Sequence, residues 1–178
     1  QTMSDENKDD DKAFTAEFKE NLGELSGKLG ALADRMKVQL HLGSMEAKKA
    51  FEKLEPALDR IRTDMDKAAE DIEGAADEAE VKAHLGFMEA RERWNHIKDY
   101  VSDVAGDVKE QGGKLKGSFD ESRLKSHLAS MDAEEAVKDR AEKAKKKVSE
   151  ARDAVKTETK ASVKAIRDTF DELLKKLD

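Results

Sequence analysis

The chain has no cysteine and a single proline, and only 4% of its 178 residues are aromatic. Without cysteine there is no disulfide framework, no thiolate metal site and no cysteine nucleophile. No apolar run approaches the roughly 18 residues of a membrane span. No charged start followed by an apolar segment marks a signal peptide. These absences predict a cytoplasmic protein with no integral membrane association. Positive charge is also in deficit, 34 Lys and Arg against 41 Asp and Glu for a net charge of −7, so nucleic acid is not an expected partner. What remains is rich in Ala, Glu, Lys, Asp and Leu, and with so little proline it predicts an all-α chain.

Gln1-Thr2 ahead of Met3 reads as a remnant of cloning, and Met3-Ser4-Asp5-Glu6-Asn7 as a cytoplasmic start. Residues 1–11 are almost entirely polar or charged and are expected to form a disordered acidic tail. Residues 12–178 are expected to form one helical-bundle domain.

A repeat organises that domain. Asp34 to Ala47, Asp77 to Ala90 and Asp120 to Ala133 superpose without a gap at a constant spacing of 43 residues. They align Asp34 with Asp77 and Asp120, His41 with His84 and His127, and Met45 with Met88 and Met131. Constant spacing of this kind marks duplicated units. Between the matches, Phe51, Leu54, Leu58, Ile61 and Met65 recur every three or four residues, as do Trp94, Ile97, Val101, Val104 and Val108. Each unit therefore reads as one long amphipathic helix of roughly 38 residues, about 57 Å. Gly74 and the stretch from Gly112 to Gly117 read as helix stops, and Asp34, Asp77 and Asp120 as N-caps. Pro56 falls inside the first unit, where a kink is expected rather than an end. Gly23, Gly27 and Gly30 read as allowing close approach of the first helix.

The two ends of the chain each resemble half a unit. One is a stripe from Phe14 to Leu32, the other Ile166, Phe170, Leu173 and Leu177. If the chain breaks near residues 157–163, the last helix stacks end to end on the first. The expected fold is then an antiparallel bundle of four columns with a split fourth helix. The competing reading is one unbroken helix over residues 120–178.

The repeated His and Met are the candidate site residues. On a helical wheel His84 falls inside a wide apolar face, which suits a core histidine that fixes register. Imidazole and thioether four residues apart also suit copper, particularly Cu(I). Helices two and four of such a bundle run parallel, so His41, Met45, His127 and Met131 form the candidate metal set. His84 and Met88 stand at the opposite end. No His has Glu three residues before it, as a di-iron bundle requires. His96 reads as a rim residue. No catalytic set, phosphate loop or cofactor motif is found. Residues 141–152 resemble, in composition only, the Ala/Lys/Glu-rich helices of stress-protective proteins.

The expected function is a non-enzymatic scaffold or adaptor-like bundle that meets a protein partner or its own copy. Metal binding by the His/Met set, and reversible association with a surface by an opened amphipathic bundle, are the alternatives.

Overall fold

The structure, a computed structural model, describes residues 5–72, 76–112, 120–150 and 152–178. Among these residues every regular element is helical. The elements are α1 (Asp5–Gln39), a 3-10 turn (Leu40–Leu42), α2 (Met45–Asp71), α3 (Ala76–Lys109), α4 (Glu121–Asp132), α5 (Glu134–Glu150) and α6 (Arg152–Leu177). No helix among them is long and apolar enough to cross a membrane.

The apolar stripes explain the packing. Leu22, Leu25, Leu29, Leu32 and Met36 bury one face of α1, and Leu54, Leu58, Ile61 and Met65 one face of α2. Each fully buried side chain of this size contributes about 1.5–3 kcal/mol. Together with Phe87, Trp94 and Ile97 of α3 and Val163, Ile166 and Phe170 of α6 they form one core. The helices α1, α2, α3 and α6 neighbour one another in that ring order.

Cross-helix contacts give the directions. The start of α2 lies at the end of α3, where Gly43 and Ser44 meet Asp107, while Ala68 meets Gly86. α2 and α3 are therefore antiparallel. α6 ascends with α3, since Thr159 meets His84 and Phe170 meets Trp94. It also runs alongside α1, from Arg167 at Asn21 and Glu24 through Asp171 at Lys28 to Leu177 at Gln39. α4 and α5 descend along α3, from His127 at His96 to Arg140 at Glu89. The chain thus reverses between α5 and α6.

These directions correct the expected connectivity. The last helix lies side by side with α1 instead of stacking on its end. The break expected near 157–163 is absent, because residues 152–177 are one helix. The unbroken reading of 120–178 also fails, because α4 ends at Asp132 and α5 begins at Glu134, with Ala133 between them.

The element boundaries do not follow the 43-residue period. The first copy straddles the turn between α1 and α2, the second lies inside α3, and the third spans α4. Local residues account for the difference. In the first copy Gly43 precedes Ser44, an extended N-cap whose hydroxyl accepts from the Ala47 N–H at 3.1 Å. The second copy has Phe87 where Ser44 stands, and Gly86 is needed inside the helix. A Cβ there would sit 3.0 Å from the Cβ of Ala68.

The aspartate caps divide. Asp120 caps α4, its carboxylate accepting from the Arg123 N–H at 3.0 Å. Asp34 is an exposed residue within α1, because Met36 continues the buried stripe past it. Asp77 lies inside α3, one residue after its first residue. Gly74 and residues 113–117 lie outside the described residues, as do residues 1–4 of the acidic tail. Helix α1 begins at Asp5 instead of near residue 12. α2 runs through Pro56 without ending.

Candidate functional site

The structure does not bring the four candidate ligands His41, Met45, His127 and Met131 together. His41 is exposed in the 3-10 turn, with Nδ1 3.0 Å from the Val38 carbonyl, and Met45 opens α2. The two occupy different elements, so they do not share a helical face. That turn sits against Asp107 and Val108 of α3. His127 instead packs on His96, with ring centroids 4.9 Å apart. The eleven residues between the two levels of α3 correspond to about 16 Å. Met131 is buried beneath α4. Among the described residues no group of three or more His, Asp or Glu stands in metal-binding geometry.

His84 is buried, as its place on the apolar face implies. Its Nδ1 lies 3.4 Å from the Thr159 hydroxyl, and its Nε2 has no hydrogen-bond partner in the protein. Burial holds its pKa down to about 4, with Lys147 and Arg91 lowering it further and Glu158 opposing them. The ring is therefore neutral near pH 7. Met88, one turn along α3, is half-buried.

The densest polar constellation was not read from the sequence. Arg93 of α3 is only 3% exposed. Its guanidinium lies 3.3 Å from Asp64 of α2 through Nε and bridges Asp132 of α4 through Nη2. Asp64 also accepts from Arg60 Nε at 3.2 Å. Arg140 of α5 faces Glu89 at 3.7 Å and Glu92 at 3.9 Å, and donates to the Met131 carbonyl at 2.5 Å. Burial pushes the carboxyls of Asp64 and Glu89 up, against the pull of Arg60, Arg93 and, at Glu89, Arg140. The hydrogen bond from Arg93 holds Asp132 below its usual value. Removing one member of such a buried network leaves its partner charged and uncompensated, a large penalty. Chemically the arrangement is a clasp, fixing α4 and α5 to α2 and α3. The sequence signal for it is Arg93 itself, a cation within the apolar stripe next to Trp94.

A second polar anchor lies near the C-terminal end of α3. Asp107 is fully buried and accepts from the Ser44 N–H at 2.8 Å and from its hydroxyl at 2.9 Å. It pins the α1–α2 corner to α3. Outward from this anchor three large apolar side chains face solvent: Val38 at 73% exposure, Leu42 at 39% and Met45 at 63%. Val137 on α5 is the other large hydrophobic residue exposed among the described residues.

No protein-family model, curated protein or solved structure matches the chain.

Proposed function

We propose that this chain is a non-enzymatic interaction module, a helical bundle that presents a rigid corner to a protein partner. On this reading α1, α2, α3 and α6 are the four columns of the bundle, and α4–α5 is an arm laid on α3. The observation that supports the reading is the α1–α2 corner. Val38 near the end of α1, Leu42 in the 3-10 turn and Met45 at the start of α2 are exposed, while Asp107 holds the backbone at Ser44 between them. Exposed apolar side chains on a rigid support suit a contact surface, because little order has to be gained on binding. Lys37, Lys48 and Lys49 flank the corner and supply a polar rim.

The test pairs the chain with the double variant Val38→Asp/Met45→Asp. Both substitutions are at exposed positions and leave the fold intact. A partner retained by the unsubstituted chain at physiological salt and lost by the variant supports the reading. So does a concentration-dependent dimer that the variant abolishes in sedimentation equilibrium. A monomer that retains no partner, or a partner retained equally by the variant, removes the corner as the contact surface.

A further inference from the structure

The corner between α4 and α5 is a single residue, Ala133, with φ −59° and ψ 135°. No local chemistry demands a corner there. Alanine is the strongest helix former, and neither glycine nor proline occurs from Leu128 to Lys138. Breaking the helix leaves the last carbonyls of α4 without intrahelical partners. The flanking residues suit either state. Asp132, Glu134 and Glu135 favour a new helix start, while Ala129, Met131, Ala133 and Ala136 favour continuation.

What imposes the corner is tertiary. Arg140 supplies a donor to the freed carbonyl of Met131 and stands against Glu89 and Glu92. Arg93 reaches from α3 to Asp132 while also meeting Asp64. Leu124 of α4 joins the main core and Leu128 packs against it. Between Leu128 and Ala144 the one buried apolar side chain is Met131, which stands apart from that core. At the corner itself charged contacts therefore outnumber apolar ones.

We propose that the α4–α5 corner is a two-state element. It is bent onto α3 while the Arg93 and Arg140 contacts hold, and becomes one straight helix from α4 into α5 when they are released. The straight state carries the arm off α3 and bares Glu89, Glu92 and Arg93 together with Leu124 and Met131. This goes beyond the reading of the α1–α2 corner and needs no partner. A local charge change with a large geometric outcome is a general form of molecular switch.

The chain lacks cysteine, so Ser126→Cys and Lys145→Cys introduce two unique positions for nitroxide labels. In a straight helix their backbones are about 29 Å apart, and the corner shortens that distance. Pulsed dipolar spectroscopy on the full chain is expected to give one short distance at low salt. Asp132→Asn/Arg140→Gln loosens the clasp while leaving Arg93 paired with Asp64, and is expected to move most molecules to the long distance. Adding Ala133→Gly disfavours the straight helix about fivefold and is expected to restore the short population. Salt at 1 M, which shortens the screening length to about 3 Å, is expected to raise the long-distance fraction of the labelled chain without the clasp substitutions. That arm decides the question alone if the clasp variant fails to fold. A short distance unchanged by both salt and the clasp variant overturns the proposal. So does fast amide exchange over residues 129–137 in the opened form, because the corner then melts instead of straightening.

Discussion

Gln111 holds φ at 56°, the left-handed conformation in which an L side chain is strained. It does so to end α3: its N–H reaches the Val108 carbonyl at 3.3 Å, and Gly112 N–H reaches the Asp107 carbonyl at 2.8 Å. The glycines at 112 and 113 mark the stop in the sequence, yet the closing turn places its first left-handed residue one position earlier. Gln111→Gly should therefore raise stability by about 1 kcal/mol, read as a higher urea midpoint. An unchanged or lower midpoint would show that no strain is held there. His84 carries the other prediction at this scale. Its folded pKa of about 4 lies below the ordinary imidazole value of 6.5. As pH falls through 6.5 the unfolded chain takes up a proton that the folded chain refuses. Stability from this group is therefore full above 6.5, declines down to about 4 and is level below. The total is roughly 3 kcal/mol. Asp64 and Glu89, with raised values, act in the opposite sense over the carboxylate range. The comparison must therefore be differential. His84→Gln should flatten the decline between pH 6.5 and 4.5 relative to the unsubstituted chain, and equal slopes would count against a buried neutral imidazole.

Helices were legible in the sequence where an apolar stripe was long, and illegible where a tertiary contact set the boundary. The stripes of α2 and α3 gave their buried faces residue by residue, from Phe51 to Met65 and from Trp94 to Val108. Asp34 misled because its cap chemistry was read without the stripe that Met36 continues. The corner at Ala133 left no local signature, because Arg93 and Arg140 impose it from other positions. The glycines of α1 show the same limit. Gly23 and Gly27 face open space, and only Gly30 meets a neighbour, the Arg62 guanidinium, which a Cβ would approach to 2.8 Å. Gly23→Ala and Gly27→Ala should each stabilise α1 by about 1 kcal/mol. Gly30→Ala should gain less, since Arg62 has to move. Equal effects at all three, measured by urea unfolding, would show that the Arg62 contact is without consequence. Ser44 both caps α2 and donates to buried Asp107, so Ser44→Ala should cost about 1–3 kcal/mol. A loss below a few tenths would mean that water replaces the hydroxyl.

Across the whole molecule, the repeated sequence does not produce repeated surroundings. His41 is exposed in a turn, His84 is buried in α3 and His127 is half-buried against His96. A duplicated stretch can fill three different places because the helix boundaries around it depend on single residues, Gly43-Ser44 in one copy and Phe87 in another. The metal set inferred from that repeat depended on equivalence of the copies and is dispersed for the same reason. α6 closes the ring by laying Phe170 edge-on against Trp94, with centroids 4.8 Å apart. Phe170→Ala should cost about 3–5 kcal/mol and loosen α6 first, visible as faster amide exchange along its length than along α2. Uniform exchange in both helices would place α6 within the same cooperative unit. The interaction reading rests on the α1–α2 corner, and a photo-reactive residue at Leu42, introduced in the cells to which the chain is native, tests it most directly. The expected result is a cross-link to one protein species, or to a second copy of the chain, that is lost with Val38→Asp/Met45→Asp and absent from a probe at exposed Lys164. Cross-links that are the same from both positions, or none from Leu42, would contradict it.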